Sequence, residues 1–203
     1  RPKIIVDHST IHPDKTRQIA QKVAQKGITW IDAPVTGGEQ GAKNGDLLIM
    51  AGGDERAIEK VKPVLKLYSK KITRVGGNGS GQAAKVVNQM LIGGHVAVTA
   101  EALNFASNFG ISASGLPETL AGGWGDSTVL QNHGVRMANA CYPDNVPASL
   151  MLKDIEIACD MGKLTQSPMP VTQKVQSMYR KLVNEGNDEK GQIGIMWIYR
   201  QTP

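Results

Sequence analysis

Aromatic residues are scarce: only 4% of the 203 positions are Phe, Trp or Tyr. That leaves few flat platforms for stacking bases, and the lysines are spread along the chain rather than clustered. Nucleic acid is therefore not an expected partner, despite a net charge of +5. Cysteine is scarcer still. Cys141 and Cys159 sit in no CxxC and beside no histidine pair, which fits free thiols in a reducing, cytoplasmic compartment better than a disulfide framework. No run of about 18 apolar residues occurs, so neither a membrane span nor a membrane partner is expected. No charged-then-apolar leader opens the chain, so no secretion signal is expected. Internal repeats and low-complexity tracts are absent as well. What remains is 40% hydrophobic and 20% charged, ordinary for a globular protein of one large or two small domains. The mild basic excess suits a site for small anions such as carboxylates or phosphates.

The first 78 residues alternate strand and helix signals. KIIVD (Lys3 to Asp7) is a β-branched run suited to a buried parallel strand. PDKTRQIAQKVAQKG opens on proline and closes on glycine, with apolar residues at helical spacing. ITWIDAPV (Ile28 to Val35) and DLLIMAGG (Asp46 to Gly53) read as strands. DERAIEKVKPVLKLY reads as a helix with Asp54 as N-cap, and KITRVG as a last strand. This order predicts an α/β sheet. From Ala83 to Phe109 a long proline-free segment is compatible with helix, with Gly110 as its C-cap. Further helix-length pieces come next, each closed by Gly, Pro or Asn, and a strand fits only near the end. The tail after Gly194 carries Trp197 and Tyr199 in a setting expected to be exposed and available to a partner. The expectation is an α/β part over 1–78 followed by an all-helical part over 79–203.

Between the two parts lies GGNGSGQAAKVVNQM, Gly76 to Met90. A dinucleotide fingerprint needs G-x-G-x-x-G between a strand and a helix. Gly77, Gly79 and Gly81 are followed by Gln82, and Gly76 is followed two places on by Asn78, so no register fits. The alternative lies in the residues just past the glycines. Lys85, Asn88 and Gln89 stand at i, i+3 and i+4 and share one helix face. An ammonium beside amides can hold one small oxygenated substrate and donate a proton to it. The same spacing also fits a solvated lysine on a surface helix. His8 and His12 are four apart, but they flank a strand end and precede Pro13, so a metal site is not expected there or elsewhere. In AGGWGDST, Trp124 lies in a glycine-rich turn, with Asp126 or Ser127 as N-cap of the next helix.

Four segments, in order, resemble motifs of the β-hydroxyacid dehydrogenases: VDHSTIHP, DAPVTGG, GNGSGQAAKVVNQ and LKDIEIA. Together they span nearly the whole chain. The resemblance implies the C-terminal part of a Rossmann-like NAD(P)-binding domain over 1–78. A long helix would join it to a helical dimerisation and substrate domain over 79–203. It implies an oxidoreductase that interconverts a small 3-hydroxy acid and its semialdehyde, with NAD or NADP as cofactor. Lys85 would be the catalytic acid/base, and Asn88 and Gln89 would hold the substrate. Thr36, Gly37 and Gly38 would cradle its carboxylate, and Thr10 and Lys153 would contact the cofactor. A homo-dimer or homo-tetramer is the implied assembly. Relatives that reduce imines usually lack a lysine at the catalytic position, so Lys85 argues against that activity. The family's N-terminal glycine fingerprint has no counterpart here, so the chain is expected to be a fragment with part of the cofactor site. The alternative reading is a truncated, non-catalytic dimerisation or partner-binding module on the same fold.

Overall fold

The computed structural model describes residues 3–142 and 146–200. The chain divides into two compact units, one running through Asn88 and the other starting at Gln89.

The first unit is built on a mixed sheet: β1 (Lys3–Asp7), β2 (Ile28–Asp32), β3 (Val35–Thr36), β4 (Leu47–Gly52) and β5 (Ser69–Gly76). β1 and β2 are parallel, with α1 (Pro13–Ala24) as their crossover. β4 and β5 are parallel across α3 (Glu55–Leu65). Both helices start as their sequences dictate. His12 Nδ1 accepts from the Asp14 N–H ahead of Pro13, and Asp54 accepts from the Ala57 N–H at 2.8 Å. The core of this unit is Ile31, Ala33, Ile49, Ala51, Ile58 and Leu65.

Two expectations change here. The strand expected over Ile28 to Val35 is broken at Ala33 and Pro34, because proline has no N–H to give a ladder. Instead Ala33 N–H donates to the Asp7 carbonyl, Met50 N–H donates to the Pro34 carbonyl, and β3 runs antiparallel to β4. β4 is antiparallel to both β2 and β3, whereas the pairs β1–β2 and β4–β5 are parallel, so the sheet is mixed. The residues after Gly37 form a further helix, α2 (Gly38–Asn44), which the sequence pattern did not reveal. It has no buried residue and so no apolar stripe to read.

The second unit is helical. α4 (Ser80–Phe109) enters it, and α5 (Leu116–Leu120), α6 (Thr128–Ala138), α7 (Ala148–Leu164), α8 (Pro170–Asn184) and α9 (Ile195–Arg200) come after it. Gly110 sits at φ +89° just past the end of α4, as its cap requires. The core gathers Val96, Leu103, Met137, Ile155, Tyr179 and Ile195. Gly93 brings α4 close to its neighbours: a Cβ there would stand 3.0 Å from Ile155 Cδ1 and 3.3 Å from Val175 Cγ1. The end of the chain is helix rather than strand over the described residues, and Trp197 and Tyr199 pack against this core. Lys190 Nζ lies 4.5 Å from the Trp197 ring centroid, and Tyr199 Oη donates to Glu101. No helix among the described residues is long and apolar enough to cross a membrane.

Candidate active site

The glycine stretch works by close approach. Gly81 lies where a Cβ would overlap the Met50 carbonyl oxygen and stand 2.7 Å from that of Asp32. A Cβ on Gly52 would meet Asp32 Oδ2 at 2.6 Å and the Gly81 nitrogen at 2.7 Å. Only glycine at both places lets the start of α4 rest on the ends of β2 and β4. Gly79, at φ +87°, makes the turn that leads in.

Asp32 then pins that start. Its side chain is fully buried, Oδ1 accepts from the Gly79 N–H at 2.9 Å, and Oδ2 accepts from the Gln82 N–H at 3.1 Å. A carboxylate from a strand 47 residues away thus serves as the cap of α4, where the helix dipole favours negative charge. Gln82, also fully buried, reaches the loop after β1. Its Nε2 donates to the Ser9 carbonyl at 2.8 Å, and its Oε1 accepts from the Ile11 N–H at 3.1 Å. Thr10, half-buried, is the residue between these two anchors.

Lys85 comes one turn after Gln82 and is only 9% exposed. Gln89, one turn further, is 7% exposed, and Asn88 beside it is half-buried. Polar residues therefore line a buried face of α4, while Leu91, Val98, Phe105 and Phe109 are exposed. This inverts the usual order of a surface helix and rules out the solvated-lysine reading of Lys85.

Thr36 ends β3, paired with Leu48 of β4. Next come Gly37 at φ +130° and Gly38 at φ +62°, in backbone conformations that side-chain-bearing residues rarely adopt. Both glycines are exposed, and a Cβ on Gly38 would meet nothing within 4 Å. His8 is taken up locally: Nδ1 pairs with the Ala33 carbonyl, and Nε2 lies 2.8 Å from the Tyr68 hydroxyl. Burial pushes the Tyr68 hydroxyl above its ordinary value, so it remains neutral.

In the helical unit, Gln89 and Lys153 meet at one residue that the sequence pattern did not single out. Asp154 is 7% exposed; its Oδ2 accepts from Gln89 Nε2 at 2.7 Å. Lys153 Nζ stands 3.1 Å from Oδ1, close enough for an ion pair although not aligned as a hydrogen bond. Trp124 is wholly exposed on its turn. Asp126 knits that turn, accepting from Gly122, Ser127 and Gln131, and Ser127 is the cap of α6.

Two family models meet at the start of α4. The NAD binding domain of 6-phosphogluconate dehydrogenase matches residues 1–77, and the NAD-binding domain of NADP-dependent 3-hydroxyisobutyrate dehydrogenase matches residues 79–198. A 2-hydroxy-3-oxopropionate reductase of Escherichia coli is 38% identical over 92% of this chain. The chain spans 64% of the length of that reductase. A solved 3-hydroxyisobutyrate dehydrogenase from Salmonella typhimurium superposes with a TM-score of 0.90 at 26% identity, over 96% of this chain and 69% of that one. The enzyme of that name from Mycobacterium tuberculosis, solved with L-serine, gives 0.88 at 29%, over 98% and 71%. A shared order of motifs, matching family models on both sides of the α4 start and a common fold leave one conclusion: the chain belongs to the β-hydroxyacid dehydrogenase family.

Proposed function

We propose that this chain carries the substrate-binding and proton-transferring part of an NAD(P)-dependent oxidoreductase that interconverts a small 3-hydroxy acid and its semialdehyde. The observation that carries the reading is Lys85: a lysine 9% exposed, one turn into a helix whose start is pinned by Asp32. Burying an ammonium is costly, and a helix with no chemical task would place it in water. Reduction of a carbonyl builds negative charge on its oxygen, and Lys85 donates the proton that quenches it; in the reverse direction it accepts that proton. Asn88 and Gln89 hold the substrate beside it, Gln89 with an amide N–H already given to Asp154. Thr36, Gly37 and Gly38 take the carboxylate through a hydroxyl and accessible N–H groups. The partition into a 1–78 partial dinucleotide-binding domain and a 79–203 helical domain belongs to this proposal, supported by the 77/79 junction of the family models.

The residues present fit one end of a nicotinamide dinucleotide. Ligands of α/β sheets gather at the carboxyl ends of parallel strands, and the Thr10 loop, rigidly anchored, comes directly after β1 there. The three-glycine spacing G-x-G-x-x-G does not occur between residues 1 and 203. Thr10 and Lys153 are the residues assigned to this cofactor, which when bound supplies the hydride.

The assembly proposed is a homo-oligomer, dimer or tetramer, built on α4. Leu91, His95, Val98, Ala102, Phe105 and Phe109 are all exposed and recur at alternating four- and three-residue steps, the spacing of a helix–helix seam. The stripe is self-complementary. Set antiparallel to a second copy about residue 100, it pairs Leu91 with Phe109, His95 with Phe105, and Val98 with Ala102. Phe105 and Phe109 already stack at 6.0 Å between centroids.

The test of the enzymatic reading is reduction of small semialdehydes by NADH or NADPH, with their methyl esters alongside. The free acids turn over and the esters do not. Equal rates for acid and ester would refute the carboxylate cradle, and no acid reduced above background would refute the reading as a whole.

A further inference from the structure

We propose that Gln82 is a positioning residue for the cofactor: its side-chain amide sets the loop that carries Thr10, and through that loop the affinity for the nicotinamide dinucleotide. The inference rests on the assignment of Thr10 to that cofactor. The geometry is specific to an amide. Nε2 donates to Ser9 and Oε1 accepts from Ile11, so the two backbone groups flanking Thr10 face one planar side chain. A flipped amide would oppose N–H to N–H and O to O. The chain distance spanned is 71 to 73 residues, so nothing local could substitute. The β1 end of the loop is tied as well, because the Ser9 N–H and hydroxyl both donate to Asp7 Oδ1. The backbone of Gln82 is held in turn, since its own N–H donates to Asp32. One residue therefore joins the loop after β1, the end of β2 and the first turn of α4. Lys85 stands on that same helix one turn on, yet Gln82 turns its amide to the Thr10 loop. The expected consequence is a change in cofactor affinity rather than in proton transfer.

Two variants separate the terms. Gln82→Met keeps the volume and loses both hydrogen bonds. Gln82→Glu keeps the acceptor for Ile11 and can donate to Ser9 only when protonated. NADH and NADPH are titrated into the full chain by dihydronicotinamide fluorescence, with amide hydrogen exchange over residues 8–12 and steady-state kinetics in parallel. Gln82→Met is expected to weaken dinucleotide binding about tenfold or more and to release the Ile11 amide to exchange. Its kcat at saturating cofactor and its KM for the hydroxy acid stay within about threefold of the parent. Gln82→Glu is expected to bind as the parent does at acid pH and to weaken as pH rises and the carboxyl loses its proton, a trend the methionine variant does not share. Cofactor binding within twofold of the parent in Gln82→Met, with Ile11 released, overturns the proposal. So does a loss confined to kcat. A parent chain that binds neither dinucleotide overturns the reading of Thr10 itself, and the proposal falls with it.

Discussion

Asp32→Asn is the substitution on which the local architecture stakes most. The parent carboxylate has no exposed surface and accepts two backbone N–H groups at the start of α4, 2.9 and 3.1 Å away. Asparagine keeps the shape but turns one acceptor into a donor aimed at an N–H. A charge-assisted hydrogen bond is worth about 1.5–3 kcal/mol. A buried negative charge at a helix N-terminus adds up to about 2 kcal/mol. The two overlap, so the expected loss is about 3 kcal/mol, a large share of a stability of about 5–15 kcal/mol. With a urea slope of about 2 kcal/mol/M, the unfolding midpoint falls by about 1.5 M. The matched control is Asp54→Asn. Asp54 is an exposed N-cap on α3, accepting one N–H at 2.8 Å, and asparagine caps a helix as well as aspartate does. That change is expected to stay within about 0.5 kcal/mol. Urea unfolding followed by circular dichroism measures both. An Asp32→Asn midpoint indistinguishable from that of Asp54→Asn would refute the claim that this carboxylate holds α4 in place.

Phe105→Glu places a charge in the middle of the exposed α4 stripe and is expected to convert an oligomer to monomer in sedimentation velocity without unfolding it. A parent chain already monomeric, or a variant of unchanged mass, contradicts the antiparallel pairing. The Asp126 carboxyl is held below its ordinary 3.8, first by the hydrogen bond from Gln131 and then by that from the Gly122 N–H. A folded value below the unfolded one means that its stabilising contribution is present above the unfolded value and is lost as pH falls through the folded one. The midpoint of the Gly122 amide titration is therefore expected below pH 3.8, while Asp126→Asn shows no such titration. A midpoint at or above pH 3.8 contradicts the turn geometry.

Much of this fold was legible because its signals are local. KIIVD, ITWIDAPV and DLLIMAGG are short apolar runs bounded by breakers, and a strand lies within each. Asp54, Pro13 and Gly110 marked helix ends by chemistry that depends only on neighbours. The misses share a different physics. α2 has two glycines and no buried face, so it carries no periodicity to detect. IMWIYR mixes β-branched and aromatic residues, which suits a strand by propensity, but packing of Trp197 and Tyr199 on the helical core sets it as helix. The candidate site was legible in its chemistry and not in its supports. Lys85 stood out by motif, whereas Asp32, Gln82 and Asp154 act through hydrogen bonds spanning 47 to 73 residues. No spacing in the sequence encodes a partner that far away. Burial counts against the solvated reading of Lys85, since a solvated lysine does not lie 9% exposed beside two buried glutamines.

The measurement that bears most directly on the account is the rate of semialdehyde reduction by the parent chain and by Lys85→Ala, at saturating cofactor and under identical conditions. A positioned proton donor contributes about 10²–10⁴-fold, so the variant is expected to lose at least about a hundredfold in kcat while substrate KM changes little. A variant that keeps its rate within about tenfold, or a parent no faster than the variant, would contradict the assignment of Lys85 as the acid/base.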